Sequence, residues 1–248
     1  MHNEAYFYEE LRAQGLPDPE LIGSDLSRQL VPYMYLITRY IKSVPIDELR
    51  ETDLRQFGFR VGHDLRWLHA VDAEQFGFRL PTGGWSHTDS YGPLRDQFLQ
   101  SKYMEKRHEL FSPTELKCIE ALLMPKHLMV PRPVMIHGDV RLRNFLYQKS
   151  HALNRELEIS AIIDPGLIIS GDPMWDLATA MNDDPTFGEG VLAGYTQERM
   201  LTEQQYERFH RLRLLAQYWL VCWEMSTKVF YTQALTKCFD LLEELSRL

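Results

Sequence analysis

The stretch His137-Gly-Asp-Val-Arg-Leu-Arg-Asn144 carries an acid and an amide, and a second acid follows in Ile162-Ile-Asp-Pro-Gly166. Asp139, Asn144 and Asp164 therefore stand in the order acid, amide, acid, the last at the end of an apolar run. Phosphoryl transfer from ATP needs a carboxylate that orients and deprotonates a hydroxyl. It also needs an amide oxygen and a second carboxylate to hold Mg²⁺ on the phosphates. The pattern predicts Asp139 as the catalytic base and Asn144 and Asp164 as metal ligands.

Each of these side chains also has a purely structural interpretation, because Asp, Asn, Pro and Gly are common turn residues. Asp139 could cap a turn, Asn144 could cap a helix, and Asp164 could belong to an Asp-Pro-Gly turn. Their order and spacing favour the chemical interpretation. Arg141 could stabilise charge on a transferred phosphoryl group, or it could be a solvated arginine of the loop.

The pattern continues in Gly171-Asp-Pro-Met-Trp-Asp-Leu-Ala178, shortly after the second acid. Together, the motifs between residues 137 and 178 resemble the aminoglycoside phosphotransferase and choline kinase branch of the protein-kinase-like fold. The resemblance implies an α+β fold with a mainly helical C-terminal lobe. It also implies that Asp176 holds the catalytic loop in shape through hydrogen bonds and that His137 supports the same loop.

The activity implied by the resemblance is phosphorylation of a small-molecule hydroxyl, with ATP and Mg²⁺ as cofactors. The substrate would be aminoglycoside-like, an amino alcohol or a sugar, since related scaffolds serve several substrates. Arg141 occupies the place where protein kinases commonly carry a lysine that touches the γ-phosphate, so it is a second catalytic candidate.

The first forty residues resemble the end of the family's smaller, N-terminal lobe. Glu4 matches the acid of the helix called C in kinases, and Leu36-Ile-Thr-Arg-Tyr-Ile41 resembles the strand and hinge that join the lobes. By this resemblance Thr38, Arg39, Tyr40 and Ile41 contact the adenine through backbone groups. The predicted division is a remnant of the N-terminal lobe over residues 1–42 and a helical catalytic and substrate lobe over 43–248.

Family members carry a glycine-containing phosphate loop and a lysine before helix C, whereas the first lysine of this sequence is Lys42, beyond the hinge. Three interpretations stay open: a misplaced start or cut chain, a natural fragment, or a degenerate kinase that acts as a binding or regulatory protein. In each, the strand at 32–41 loses sheet neighbours and exposes an apolar edge, which a homodimer could cover.

The composition, with 44% hydrophobic and 25% charged residues, is typical of a soluble globular protein. No apolar run approaches the roughly 18 residues of a membrane span, and the odd cysteine number predicts free thiols, so we expect a cytoplasmic protein. A net charge of −8 argues against a nucleic-acid partner and suits a cationic substrate. Four acids could line a cationic pocket or could simply be exposed: Asp183, Asp184, Glu189 and Glu224.

Hydrophobic periodicity and turn residues predict the main elements. Helices are expected over 4–14, 47–72, 94–107, 113–124 and from 202 onward, the last over about 226–246. A buried strand is expected over 32–41, a short strand over 134–136, and a hairpin from 145–147 and 159–163 around a loop at 149–157. The glycine-rich span 77–93 is predicted to be a loop, and the aromatic stripe at 206–223 is predicted to face the core.

Overall fold

This computed structural model describes residues 1–44, 49–149, 157–228 and 232–247, which contain nine α-helices and eight strands besides short π-helical and 3₁₀ segments. The helices are α1 His2–Ala13, α2 Glu51–Leu68, α3 Tyr91–Leu94, α4 Pro113–Leu122, α5 Pro125–Leu128, α6 Met174–Asp183, α7 Pro185–Thr196, α8 Glu203–Thr227 and α9 Thr232–Ser246. The strands are β1 Leu21–Asp25, β2 Tyr35–Thr38, β3 Phe76–Arg79, β4 Trp85–His87, β5 Val134–Met135, β6 Phe145–Lys149, β7 Leu157–Ile162 and β8 Ser170–Gly171.

The strands form small antiparallel sheets, in the orders β1-β2, β4-β3-β8-β5 and β6-β7. The β6-β7 hairpin positions two of the predicted site residues. Phe145 pairs with Ile162, and the Ile163 amide donates to the Asn144 carbonyl at 2.9 Å. Asn144 immediately before β6 and Asp164 shortly after β7 are thereby brought to the same end of the hairpin.

The helices pack against one another around a common core. Helix α2 packs against α7, and α6 packs against both α7 and α8. Helix α1 joins the same core, because Phe7 and Leu11 are fully buried. Helix α4 begins with the Ser112-Pro113 signal seen in the sequence: the Glu115 amide donates to Ser112 Oγ, and Glu115 accepts from the Ser112 amide.

The predicted buried strand over 32–41 is wrong in extent and in burial. Only Tyr35–Thr38 is a strand, Tyr33 and Ile37 are exposed, and β1 is its neighbour in the sheet. An apolar, β-branched run indicates a strand, but its burial depends on which layers pack against it. No further strand pairs with β1 or β2 in the part of the chain that the structure describes.

The loop predicted over 77–93 is wrong, because this span contains β4 and most of β3 and α3. The helix predicted over 94–107 is present as a π-helical turn, Arg95–Leu99, followed by a 3₁₀ helix, Lys102–Glu109. Gly77 explains why the sequence indicated a loop at 77–93 instead of a strand. It has φ +96°, and a Cβ there would lie 2.1 Å from Ser86 Oγ, so this glycine serves a close strand contact.

The other predicted helices and strands are confirmed apart from their ends. In the stripe predicted to face the core, Phe209 is buried but Tyr206 is half exposed. The helix predicted over 47–72 is α2, and the last helix is α9; the residues at 45–48 and 229–231 lie outside those described, as does most of the predicted 149–157 loop. Helices α6 and α7 were not predicted. All three cysteines are free. No described helix combines the length and apolar character that crossing a bilayer requires.

Candidate active site

The loop that follows β5 is held in place by hydrogen bonds to Asp176 of α6. The fully buried Asp176 carboxylate accepts the amides of His137 and Gly138, both at 2.7 Å, which are the contacts that the resemblance implies. His69, at the end of α2, approaches the same carboxylate with Nε2 at 3.0 Å. Gly138 has φ +82°, and a Cβ there would lie 2.0 Å from the Ile168 carbonyl, so only glycine fits.

His137 is buried between two backbone groups that fix its ring. Its Nδ1 accepts the Asp139 amide at 3.2 Å, so Nε2 carries the proton and donates to the Ile163 carbonyl at 3.0 Å. Burial lowers the pKa of His137, which keeps the ring neutral. The side chain therefore ties the loop that carries Asp139 to the strand end that precedes Asp164.

The side chains of Asp139, Arg141 and Asn144 are in direct contact. Arg141 Nε donates to Asp139 Oδ1 at 2.7 Å, and Asn144 Nδ2 donates to Asp139 Oδ2 at 3.3 Å and to its carbonyl at 2.9 Å. Asn144 is almost completely buried, whereas Asp139 and Arg141 are partly exposed. The two charged side chains thus remain accessible to a bound molecule.

Asp164 adopts a left-handed backbone conformation, with φ +53°. Two glycines bring its loop against the catalytic loop, since a Cβ on Gly166 would lie 2.5 Å from the Gly138 carbonyl carbon, and the Gly166 amide donates to the His137 carbonyl at 2.8 Å. No described residue donates a hydrogen bond to the Asp164 carboxylate. Within the described ranges this carboxylate is therefore left unengaged, and it lines the same cavity as Asp139.

Asp139, Arg141 and Asp164 line one cavity of about 530 Å³. The lining also contains an aromatic cluster: Phe98 lies against Trp175, with ring centroids 4.6 Å apart, and against Trp219, at 5.5 Å. The cavity thus combines charged side chains with apolar and aromatic surface.

The four acids considered in the sequence divide into two pairs. Asp183 and Glu224 line the cavity, and burial raises the pKa of both carboxyls. Glu224 Oε2 is buried, and none of the described residues forms a hydrogen bond with it. Asp184 instead caps α7 by accepting the Phe187 amide, and Glu189 pairs with a surface arginine of α2. Only the first pair can contact a molecule in the cavity.

The predicted nucleotide-contacting residues lie outside this cavity. Glu4 accepts the hydroxyl of Tyr8 at 2.9 Å, and that hydroxyl in turn accepts the Asp164 amide at 3.3 Å. Among the hinge residues, Thr38 pairs within the β1-β2 sheet, Arg39 forms an ion pair with Glu20, and Tyr40 is 88% exposed. Ile41 is half-buried.

Some site residues were not identified from the sequence. His69 had a signal, since Leu65-Arg-Trp-Leu-His69 resembles the Leu-x-x-Leu-His ending of a helix in the family, and the structure shows that this histidine contacts Asp176. Asn3, Phe98 and Trp219 had none, because their places in the site depend on how distant elements pack.

The fold and site define a class of protein: a protein-kinase-like fold in which the loops that carry Asp139 and Asp164 line one cavity. The profile of the phosphotransferase enzyme family matches residues 1–212, and the chain belongs to this family. No curated protein sequence matches significantly.

Solved structures share the fold at low sequence identity. A thermostable mutant of aminoglycoside phosphotransferase APH(4)-Ia, in ternary complex with ADP and hygromycin B, matches with a TM-score of 0.73 and 18% identity, over 98% of this chain and 82% of that one. A choline/ethanolamine kinase family protein from Mesorhizobium loti matches with a TM-score of 0.65 and 18% identity, over 99% of this chain and 80% of that one. A microcompartment-associated aminopropanol kinase matches with a TM-score of 0.63 and 20% identity, over 97% of this chain and 77% of that one.

Proposed function

We propose that this protein is an ATP- and Mg²⁺-dependent phosphotransferase that phosphorylates a hydroxyl of a small molecule. The observation that carries the proposal is that Asp139, Arg141 and Asp164 line one cavity while Asn144 contacts Asp139 beside them. The family supports the coarser part, phosphoryl transfer, and the fold neighbour that was solved with ADP supports a nucleotide donor.

Asp139 acts as the base in this proposal. Its carboxylate would accept the proton of the substrate hydroxyl and orient the oxygen for in-line attack on the γ-phosphate. Arg141 donates one N–H to Asp139 and has further N–H groups for phosphate oxygens, because a guanidinium carries five donors. Arg141 would therefore stabilise charge on the phosphoryl group being transferred.

Asn144 and Asp164 would hold the magnesium ion. The side-chain nitrogen of Asn144 donates to Asp139, which leaves the side-chain oxygen of Asn144 to bind a cation. No described donor engages the Asp164 carboxylate. No group of three His, Cys, Asp or Glu in the described ranges could hold a metal alone, so phosphate oxygens and water would complete the shell. The chemistry that Mg²⁺ supplies in such a site is neutralisation of charge on the phosphates.

The cavity supports a compact substrate with a cationic or donor group. Phe98, Trp175 and Trp219 offer apolar faces, and the buried Glu224 oxygen offers an acceptor for an ammonium or hydroxyl group. An amino alcohol fits this arrangement, and aminopropanol is the substrate class in the name of one fold neighbour. Aminoglycoside-like molecules and sugars are the other classes to test.

The remaining features of the proposal concern the first 42 residues. Glu4 and the backbone of Thr38–Ile41 would serve the nucleotide, and residues 1–42 would form the remnant of a smaller lobe beside the helical lobe at 43–248. A homodimer would cover the exposed side of the β1-β2 sheet, where Ile22 and Ile37 are more than half exposed. The proposed location is the cytoplasm.

The test is calorimetric binding of ATP with and without Mg²⁺, followed by turnover with amino alcohols, sugars and aminoglycosides. We expect the parent to bind Mg²⁺-ATP and Asp164→Ala to lose the Mg²⁺-dependent part. Asp139→Asn should keep nucleotide binding and lose turnover by about 10²- to 10⁴-fold. Asp240→Asn, the same change at an exposed acid, is the control. A parent that binds no nucleotide would instead support a binding or regulatory protein.

A further inference from the structure

Helix α1 forms hydrogen bonds with the loop that carries Asp164 at two separate points. At its start, the Asp164 amide donates to the Tyr8 hydroxyl at 3.3 Å. At its end, Asn3 Nδ2 donates to the carbonyls of Gly166 and Leu167 at 3.1 and 2.9 Å. We call residues 164–167 the metal loop, because it carries the proposed metal ligand.

Asn3 also ties this contact to the sheet. Its Oδ1 accepts the Arg79 amide at 3.1 Å, so one side chain connects α1, the end of β3 and the metal loop. A carboxamide suits this position because it donates from one side and accepts on the other. An aspartate of the same shape would place an oxygen against two carbonyl oxygens.

Tyr8 is oriented by Glu4. The tyrosine O–H donates to Glu4 Oε1 at 2.9 Å, so the hydroxyl oxygen presents its lone pairs to the Asp164 amide. In family members, the acid that Glu4 matches pairs with a lysine that precedes helix C. In this chain, Glu4 is engaged by Tyr8 and acts on the metal loop through it.

The metal loop needs such restraints because of its backbone. Asp164 has φ +53°, a left-handed conformation that is unfavourable for a non-glycine residue and persists where the surrounding structure enforces it. The Gly166 amide donates to the His137 carbonyl, and Tyr8 and Asn3 of α1 supply the other hydrogen bonds to this loop.

We infer that Tyr8 and Asn3 are positioning residues that fix the metal loop and thereby set the affinity for Mg²⁺-nucleotide. This inference rests on the proposed function for its consequence, but the contacts themselves are independent of it. Neither residue lines the cavity, so neither touches the reacting groups. Their effect reaches the site through the direction in which the Asp164 carboxylate points.

The test compares Tyr8→Phe and Asn3→Asp with Tyr6→Phe, which removes a hydroxyl from the same helix on a ring that packs against Trp85 instead. Backbone hydrogen exchange of the segment 164–168 in the free protein is measured first. Tyr8→Phe removes one hydrogen bond to the loop, and exchange there should rise by about threefold to tenfold. Asn3→Asp removes two, so its rise should be at least as large, whereas Tyr6→Phe should leave exchange of this segment unchanged. Unchanged exchange, or an equal rise in the control, would overturn the inference.

Binding of ATP to the same variants then separates positioning from general loosening. Affinity measured with Mg²⁺ should fall by about threefold to tenfold in Tyr8→Phe, and affinity measured in EDTA should stay as in the parent. An equal loss under both conditions would overturn the positioning role. A parent without Mg²⁺-nucleotide binding would overturn the proposed function and the consequence for metal binding, while the exchange result would still decide whether the α1 contacts hold the loop.

Discussion

At the residue scale, His137 shows how one buried side chain can connect two functional segments without chemistry of its own. Its two ring nitrogens are used in opposite senses, one accepting from the Asp139 amide and one donating to the Ile163 carbonyl. Only the neutral ring satisfies both contacts, since protonation would place two N–H groups against each other. The catalytic loop and the metal loop thus depend on the same neutral imidazole.

This arrangement predicts acid sensitivity. Because burial lowers the pKa of His137, its contribution to stability is complete above the unfolded value of about 6.5 and is lost as the pH falls below it. Below that pH, unfolding takes up one proton at His137, so the free energy of unfolding falls by at most about 1.4 kcal/mol for each pH unit. The measurement is the free energy of unfolding between pH 5 and 8 for the parent and for His137→Gln. We expect a shallower acid decline in the variant, and parallel curves would contradict this account.

At the element scale, the contact between α2 and α7 is set by glycines on both helices. A Cβ on Gly62 would lie 2.0 Å from the Val191 carbonyl, and a Cβ on Gly194 would lie 1.9 Å from the Phe59 carbonyl. The two backbones therefore approach more closely than any larger residue would allow. This contact matters for the site because α2 ends at His69, which contacts Asp176, and α7 carries Tyr195, whose hydroxyl lies 3.1 Å from His69 Nδ1.

Gly62→Ala is the prediction at this scale. Alanine in a helix interior normally stabilises by about 0.5–1 kcal/mol relative to glycine, but here the added methyl must displace a helix backbone. We expect a net loss of about 1–3 kcal/mol in the free energy of unfolding by urea. Gly23→Ala is the control, because nothing lies within 4 Å of a Cβ built there. Equal stability of the two variants would show that α7 moves aside at little cost.

At the scale of the whole molecule, α1 and the helical part share one core. The Phe7 ring is fully buried and meets the His137 ring edge-on, with centroids 5.5 Å apart. The division into residues 1–42 and 43–248 stays a prediction about evolutionary and functional parts. The packing of Phe7 leads us to expect that the two parts unfold together.

Phe7→Ala tests this cooperativity. All five tryptophans lie beyond residue 42, so their fluorescence reports on the helical part. Removing a buried phenylalanine ring costs about 3–5 kcal/mol, and we expect the tryptophan transition in urea to shift by that amount. Ile37→Ala, at a half-exposed position of β2, should shift it little. If Phe7→Ala leaves the tryptophan transition unchanged, the two parts are independent.

The sequence by itself determined the features that depend on local spacing. The acid, amide and acid at 139, 144 and 164, the capping signal at Ser112 and the β6-β7 hairpin follow from residue order and turn chemistry, which act over a few positions. These were enough to predict the protein-kinase-like fold and to indicate the chemistry of phosphoryl transfer.

The tertiary structure decided what depends on distant neighbours. The sequence could not separate the cavity acids Asp183 and Glu224 from Asp184 and Glu189, because burial is set by the helices packed around each side chain. For the same reason Gly77 indicated a loop where a strand contact required a glycine, and nothing in the order of residues connected Asn3 to Gly166. Side chains that are remote in sequence meet only once the core has formed, and hydrophobic packing fixes those meetings without leaving a local pattern.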